Sequence, residues 1–183
     1  MNKPIVIAID AMGGDNSPTK IIDGIELYHQ KNKHVYFKLF GDSIIIEESL
    51  KNKNLDKKNY EIVHSENNVK GEDSALTAAK RGKNSSMWMS IESVKNKTSD
   101  IILSAGNTGA LFVIAKLNLE MIEKIDKPAL SGLWPNKTGM NIVLDLGANI
   151  ECSEKNLKDF SIMGAALHKS LFPDEDTKVA LLN

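Results

Sequence analysis

Asp100-Ile101-Ile102-Leu103-Ser104-Ala105-Gly106-Asn107-Thr108-Gly109-Ala110-Leu111-Phe112-Val113-Ile114-Ala115 is the stretch whose reading decides the fold. A short apolar run of strand composition passes through a polar, glycine-bearing turn into a second apolar run. In an open α/β sheet that is the form that presents backbone N–H groups to an anion. Two more segments share it. One is Ile5-Val6-Ile7-Ala8-Ile9-Asp10-Ala11-Met12-Gly13-Gly14-Asp15, followed by Ser17-Pro18; the other is Ile142-Val143-Leu144-Asp145-Leu146-Gly147-Ala148-Asn149. Three strand ends that finish in glycine plus a carboxylate or amide predict one shared crevice at the carboxyl edge of a sheet.

Outward from these segments the chain alternates strand and helix. Residues 4–10 carry apolar side chains with little alternation, as a strand covered on both faces requires. Ser17 is placed to cap a helix with Pro18 at its first position, and Ile21, Ile22, Ile25 and Tyr28 fall on one face. Strands follow at 35–40 and 60–64, with a helix at 44–50 between them. A helix over 72–80, a basic loop over 80–86 and a helix over 87–95 lead to the strand at 100–104 and a helix over 108–122. Beyond it the spacing predicts strands at 128–133 and 141–146, a helix capped by Ser153, and a strand over 178–182. The fold class is therefore α/β with a mostly parallel sheet. The chain ends directly after its last expected strand, where a ligand-side loop should follow, so it is expected to be the amino-terminal part of a longer protein.

Composition narrows the class. The 183 residues are 42% hydrophobic and 26% charged, a globular balance sufficient for a sizeable core. Lys and Arg number 23 against 24 Asp and Glu, with no long basic tract, so nothing asks for nucleic acid. Cys152 is the single cysteine, which rules out an internal disulfide and favours a cytoplasmic setting. The apolar run from Ile5 to Ile9 is cut by Asp10, unlike a signal peptide or a spanning helix.

The chemistry-bearing residues sit in the same turns. Gly13-Gly14 permits close backbone approach, or serves only as a tight strand-to-helix turn. The pair lacks the three spaced glycines of a dinucleotide fingerprint, and no Gly-Lys-Ser/Thr follows any loop. Asn107 and Thr108 bring donors to a helix start, although Thr108 also suits the plain role of an N-cap. Lys80, Arg81 and Lys83 precede Ser85-Ser86, a grouping that suits phosphate; the competing reading has Ser86 capping a helix and the cations facing solvent. Asp145 either faces a ligand or anchors loop amides. His29, His34, His64 and His168 show no metal spacing and read as surface or interface residues, and Cys152 reads as a buried structural thiol.

Taken together, residues 9–15 with Pro18, Ser85-Ser86-Met87, Ser104 through Ala110, Leu144 through Asn149, Phe160 with Met163-Gly164, and the closing Val179-Ala180-Leu181-Leu182-Asn183 resemble the bacterial phosphate acyltransferase family of phospholipid synthesis. The resemblance implies transfer of a fatty acyl group from acyl carrier protein to inorganic phosphate. It also implies a Rossmann-like three-layer αβα core similar to phosphotransacetylase and isocitrate dehydrogenase-like folds. A homodimer is implied too, as is a cytoplasmic protein peripherally associated with the inner membrane face, whose product feeds a glycerol-3-phosphate acyltransferase. No metal or cofactor is implied, phosphate being a substrate. On this resemblance Asp10, Asn107 and Asn149 are candidate catalytic residues. Gly13, Gly14, Lys80, Lys83, Ser85, Ser86, Gly106, Thr108 and Gly109 are candidates for holding phosphate, and Asp15 and Asp145 for organising loops. Two other classes remain open: a nucleotide-dependent oxidoreductase, and a non-catalytic fragment that dimerises or binds acyl carrier protein.

Overall fold

The computed structural model describes residues 3–137 and 139–182, with the backbone alone at position 81. Thr138 and Asn183, within the expected turn at 137–140 and the closing motif, lie outside the described residues. The chain divides into two compact units, the first running to Glu120 and the second beginning at Met121.

The first unit holds a four-stranded parallel sheet: β1 (Ile5–Asp10), β2 (Val35–Gly41), β3 (Tyr60–His64) and β4 (Ile101–Ser104), in the order β3-β2-β1-β4. β1 is central, paired from Ile5↔Val35 to Asp10↔Phe40 on one side and from Ile7↔Ile101 to Asp10↔Ser104 on the other. The expected double-sided burial of β1 follows from that position. Because side chains alternate along a strand, Ile7 and Ile9 share a face with Phe37 and Leu39. That face is covered by Ile22 and Ile25 of α1 (Thr19–Lys31) and by Ile46 and Leu50 of α2 (Ser43–Leu50).

The opposite face belongs to a second cluster. It joins Ala78 and Ala79 of α3 (Ala75–Arg81), Met87 and Ile91 of α4 (Ser86–Lys95), and Ala110 and Ile114 of α5 (Thr108–Asn118), with Ile102 of β4 packed against them. Helices on both faces of a parallel sheet give the three-layer αβα arrangement that strand, glycine turn and helix predict. The same alternation turns Ala8 and Asp10 toward α4, and both are buried.

In the second unit, β5 (Gly132–Pro135) and β6 (Met140–Val143) form an antiparallel pair registered from Gly132↔Val143 to Pro135↔Met140. α6 (Glu154–Leu171) packs on β6, and its start is fixed by a reciprocal cap: Ser153 accepts from the Asn156 amide while the Asn156 side chain accepts from that of Ser153.

Several expectations are corrected. Pro18, not Ser17, occupies the N-cap position of α1, because the Ser17 hydroxyl donates 2.5 Å back to the Gly13 carbonyl. The segments expected at 128–133 and 141–146 become a separate hairpin, so the third glycine-ended segment does not continue the parallel sheet. α5 stops at Asn118, where Leu119 turns extended (φ −87°, ψ 140°). Residues 178–182 are apolar but form no strand; Leu181 and Leu182 are exposed, and apolar composition without a pairing partner makes no strand. Cys152 is exposed rather than buried, and His29 is buried rather than on the surface.

Candidate functional site

At the carboxyl ends of β1 and β4 the site is built around one buried carboxylate. Asp10 is 1% exposed and accepts from the Ser86 hydroxyl at 2.5 Å through Oδ1 and from the Ser104 hydroxyl at 2.7 Å through Oδ2. Ser104 in turn accepts from the Gly106 amide at 3.1 Å. Burial pushes the Asp10 carboxyl above its ordinary value, against the opposing pull of Ser86, Ser104 and the Met12 and Gly13 amides. One side chain therefore ties the end of β1 to the start of α4 and to the loop after β4.

Two glycines let those loops touch backbone to backbone. A Cβ on Gly13 would lie 2.5 Å from Asp10 Oδ2, 2.9 Å from Ser104 Oγ and 3.0 Å from the Gly106 nitrogen. Gly14 adopts φ +89°, and a Cβ there would meet the Ala105 carbonyl oxygen at 2.6 Å. Only glycine fits both places. The loops border a cavity of about 380 Å³, lined by Met12, Gly14 and Asp15 from the first, and by Ala105, Gly106 and Asn107 from the second. A third wall comes from Asn68, Val69, Lys70 and Gly71.

Asn107 fastens that wall. Its Oδ1 accepts from the Ala110 amide at 2.9 Å as the N-cap of α5, while its Nδ2 donates to the carbonyls of Gly71 and Asp73, each at 2.9 Å. The side-chain amide is thus fully engaged within the protein. The first-turn amides of Thr108 and Gly109 have no protein acceptor among the described residues, as expected of a helix start, and both residues are exposed.

In the second unit Asp145 gathers donors: the Leu130 amide at 2.8 Å, the Asn149 amide at 2.7 Å and Asn149 Nδ2 at 3.1 Å. Burial works to raise its carboxyl, but these donors and the Ala148 amide outweigh it and hold the group below its ordinary value. Asn149 Nδ2 also donates 2.8 Å to the Pro128 carbonyl. Asp145 and Asn149 therefore pin the 145–149 loop to residues 128–130.

The structure brings Gly14, Asp15, Gly106 and Asn107 to one cavity, with Gly13 against Asp10, Ser104 and the Gly106 nitrogen behind it and Ser86 bonded to the same carboxylate; Thr108 and Gly109 are not among its lining residues. Ser85 and Ser86 are buried; Ser85 caps α4 by accepting from the Trp88 amide at 3.2 Å. Lys80 and Lys83 are exposed and do not line the cavity. Asn149 and Asp145 belong to the second unit. Sequence reasoning missed Ser104, whose role needs the β1–β4 register, and the 68–71 wall. The wall lies where helix and strand periodicity both fade, and the run Asn67-Asn68-Val69-Lys70-Gly71 offered only its turn composition as a signal. Among the described residues no cluster of His, Cys, Asp or Glu could hold a metal.

Comparison with known proteins gives the same direction. The family described as fatty acid synthesis protein matches residues 5–183. The chain is 62% identical over 183 residues to a phosphate acyltransferase of Pelagibacter ubique, covering 100% of this chain and 54% of that protein. It is 41% identical over 186 residues to the phosphate acyltransferase of Neorickettsia sennetsu, covering 100% and 54%, and 37% identical over 183 residues to that of Paramagnetospirillum magneticum, covering 100% and 52%. The chain spans about half the length of these curated relatives.

Proposed function

The chain belongs to the fatty acid synthesis protein family, and from that premise we propose that it carries the phosphate site of an acyltransferase that moves a fatty acyl group from acyl carrier protein to inorganic phosphate. The observation that carries this reading is the meeting of the Gly13-Gly14 and Gly106-Asn107 backbones at one cavity. Backbone N–H groups at a strand-to-helix turn suit a small tetrahedral anion.

The chemistry asks little covalent help of the protein. A phosphate oxygen attacks the thioester carbonyl, the C–S bond breaks, and the carrier thiolate leaves to take up a proton; the products are acyl phosphate and free carrier. Phosphate near neutrality is already substantially dianionic, its monoesters having a second pKa of about 6. The site's task is to hold an oxygen about 3 Å from the carbonyl carbon and to offer donors to the developing oxyanion.

In this reading Gly13, Gly14 and Gly106 shape the phosphate bed, and the first-turn amides of Thr108 and Gly109 follow directly on Asn107, which lines it. Asp10, Ser86 and Asn107 act as positioning residues, holding the loops rather than touching the reacting atoms. Asp145 and Asn149 arrange a second loop. Acyl carrier protein is the acyl donor, a homodimer the working assembly, and the cytoplasm beside the inner membrane face the setting, with a glycerol-3-phosphate acyltransferase consuming the product. No helix among the described residues is long and apolar enough to cross a membrane.

The test is phosphate-dependent release of carrier thiol from acyl carrier protein loaded with a fatty acyl group. It is run on this chain and on the chain extended to its relatives' length. Release that rises with phosphate and yields acyl phosphate supports the reading. Release independent of phosphate in both forms, or none in either, overturns it.

A further inference from the structure

We propose that Lys70 is the cation that holds phosphate in this cavity, a role the basic run at 80–83 suggests for other lysines. The inference rests on the phosphate reading above and names its missing charge. Among the described residues that line the cavity, Asp15 and Lys70 are the charged ones, and Asp15 has the same sign as the ligand. A dianion entering such a space without a counter-charge would exchange its water for a like-charged neighbour.

The backbone around Lys70 is held in place from both directions. Before it, the Asn67 carbonyl accepts from the Ser86 amide at 3.0 Å, and Val69, 7% exposed, is anchored in the second core. After it, the Lys70 amide donates 2.9 Å to Asp73 Oδ2, the Asp73 amide donates 3.2 Å to the Lys70 carbonyl, and Asn107 holds the Gly71 and Asp73 carbonyls. The ammonium itself has no ion-pair partner among the described residues. Lys80 and Lys83 also have none among the described residues, so placement at the cavity, not the missing partner, sets Lys70 apart. The held backbone sets Lys70 at the cavity wall before a ligand arrives, and its exposed, unpaired ammonium has only its own side chain to order onto an anion. Lys80 and Lys83 lack that placement.

Calorimetric titration of inorganic phosphate into the full chain tests this. Lys70→Met should weaken binding by about tenfold or more, the scale of one charge-assisted hydrogen bond, and Lys70→Arg should restore most of it. The variant's affinity should also fall less steeply with added salt than the parent's, a readout that a merely structural role would not move. Circular dichroism checks that each variant is folded. If the parent binds phosphate and Lys70→Met binds equally well, the assignment is overturned while the phosphate reading stands. If Lys80→Met or Lys83→Met loses affinity and Lys70→Met does not, the charge belongs to the basic turn and the assignment is again overturned. If the parent binds no phosphate, both fail together.

Discussion

Ser104 Oγ lies 2.7 Å from Asp10 Oδ2 and 3.1 Å from the Gly106 amide, so one hydroxyl passes the hold of a buried carboxylate to the loop that borders the cavity. Ser104→Ala removes both bonds and leaves the Gly106 N–H and one carboxylate oxygen short of a partner. Leaving such groups unmet costs about 1–3 kcal/mol. Urea denaturation should show a loss of that size, and amide exchange should quicken at Gly106.

Gly13 and Gly24 make opposite predictions for the same substitution. A methyl group at Gly13 has Asp10 Oδ2 at 2.5 Å and backbone beyond it, so Gly13→Ala should destabilise by about 1–3 kcal/mol, as overpacking does. Gly24 lies within α1 with nothing within 4 Å of its added Cβ. Gly24→Ala should stabilise by about 0.5–1 kcal/mol through helix propensity alone. Paired thermal melts of the two variants read both signs.

Much of this was legible in the sequence, and the reason is local. The glycine turns at 13–14 and 106–109 announce themselves because a strand that must become a helix within a few residues needs backbone freedom there, and the apolar runs on either side set the period. What side chains do at those turns was not legible. Ser104 becomes a partner of Asp10 only once β1 and β4 pair in register, a relation between positions 94 residues apart, and Ser86 only once α4 packs on β1, 76 residues away. Asn107 resembled a ligand group, yet its amide is committed to a wall 34 to 36 residues upstream. Lys70 was hidden by the opposite problem: its segment has no period to read. The strand expected at 141–146 forms over Met140–Val143 but in a separate hairpin, for a related reason: apolar residues show that a strand is wanted but not which sheet receives it.

His29 predicts a pH dependence. It is 6% exposed, packs edge-on against Phe37 with ring centroids 6.0 Å apart, and its Nδ1 has no partner among the described residues. Burial lowers its basicity first; Lys33 and Lys58 add to that, and Asp56 opposes them. A lowered folded value means that the unfolded chain takes up a proton the folded chain resists. The contribution to stability is whole above the ordinary imidazole value of 6.5 and is lost as pH falls through the folded value. Urea midpoints compared at about pH 7.5 and about pH 5.5 should fall for the parent, and His29→Leu should flatten part of that fall.

Asn107 offers the sharpest separation of two tasks held by one side chain. Its Oδ1 caps α5 and its Nδ2 holds the Gly71 and Asp73 carbonyls. Asn107→Asp keeps an acceptor for the Ala110 amide and adds a negative charge that a helix start favours, so the first turn of α5 should stay as protected from amide exchange as in the parent. The same change removes both donors to the 71–73 wall and sets a carboxylate against its two carbonyl oxygens, so protection around residues 70–73 should drop. Asn107→Ala removes cap and latch together and should cost about 0.5–2 kcal/mol for the cap alone. If the wall positions Lys70, phosphate affinity should fall in both variants, and more steeply in Asn107→Asp, where a new negative charge also borders the cavity. An Asn107→Asp chain that keeps the parent's exchange pattern across 70–73 would show that the latch contributes nothing to that wall.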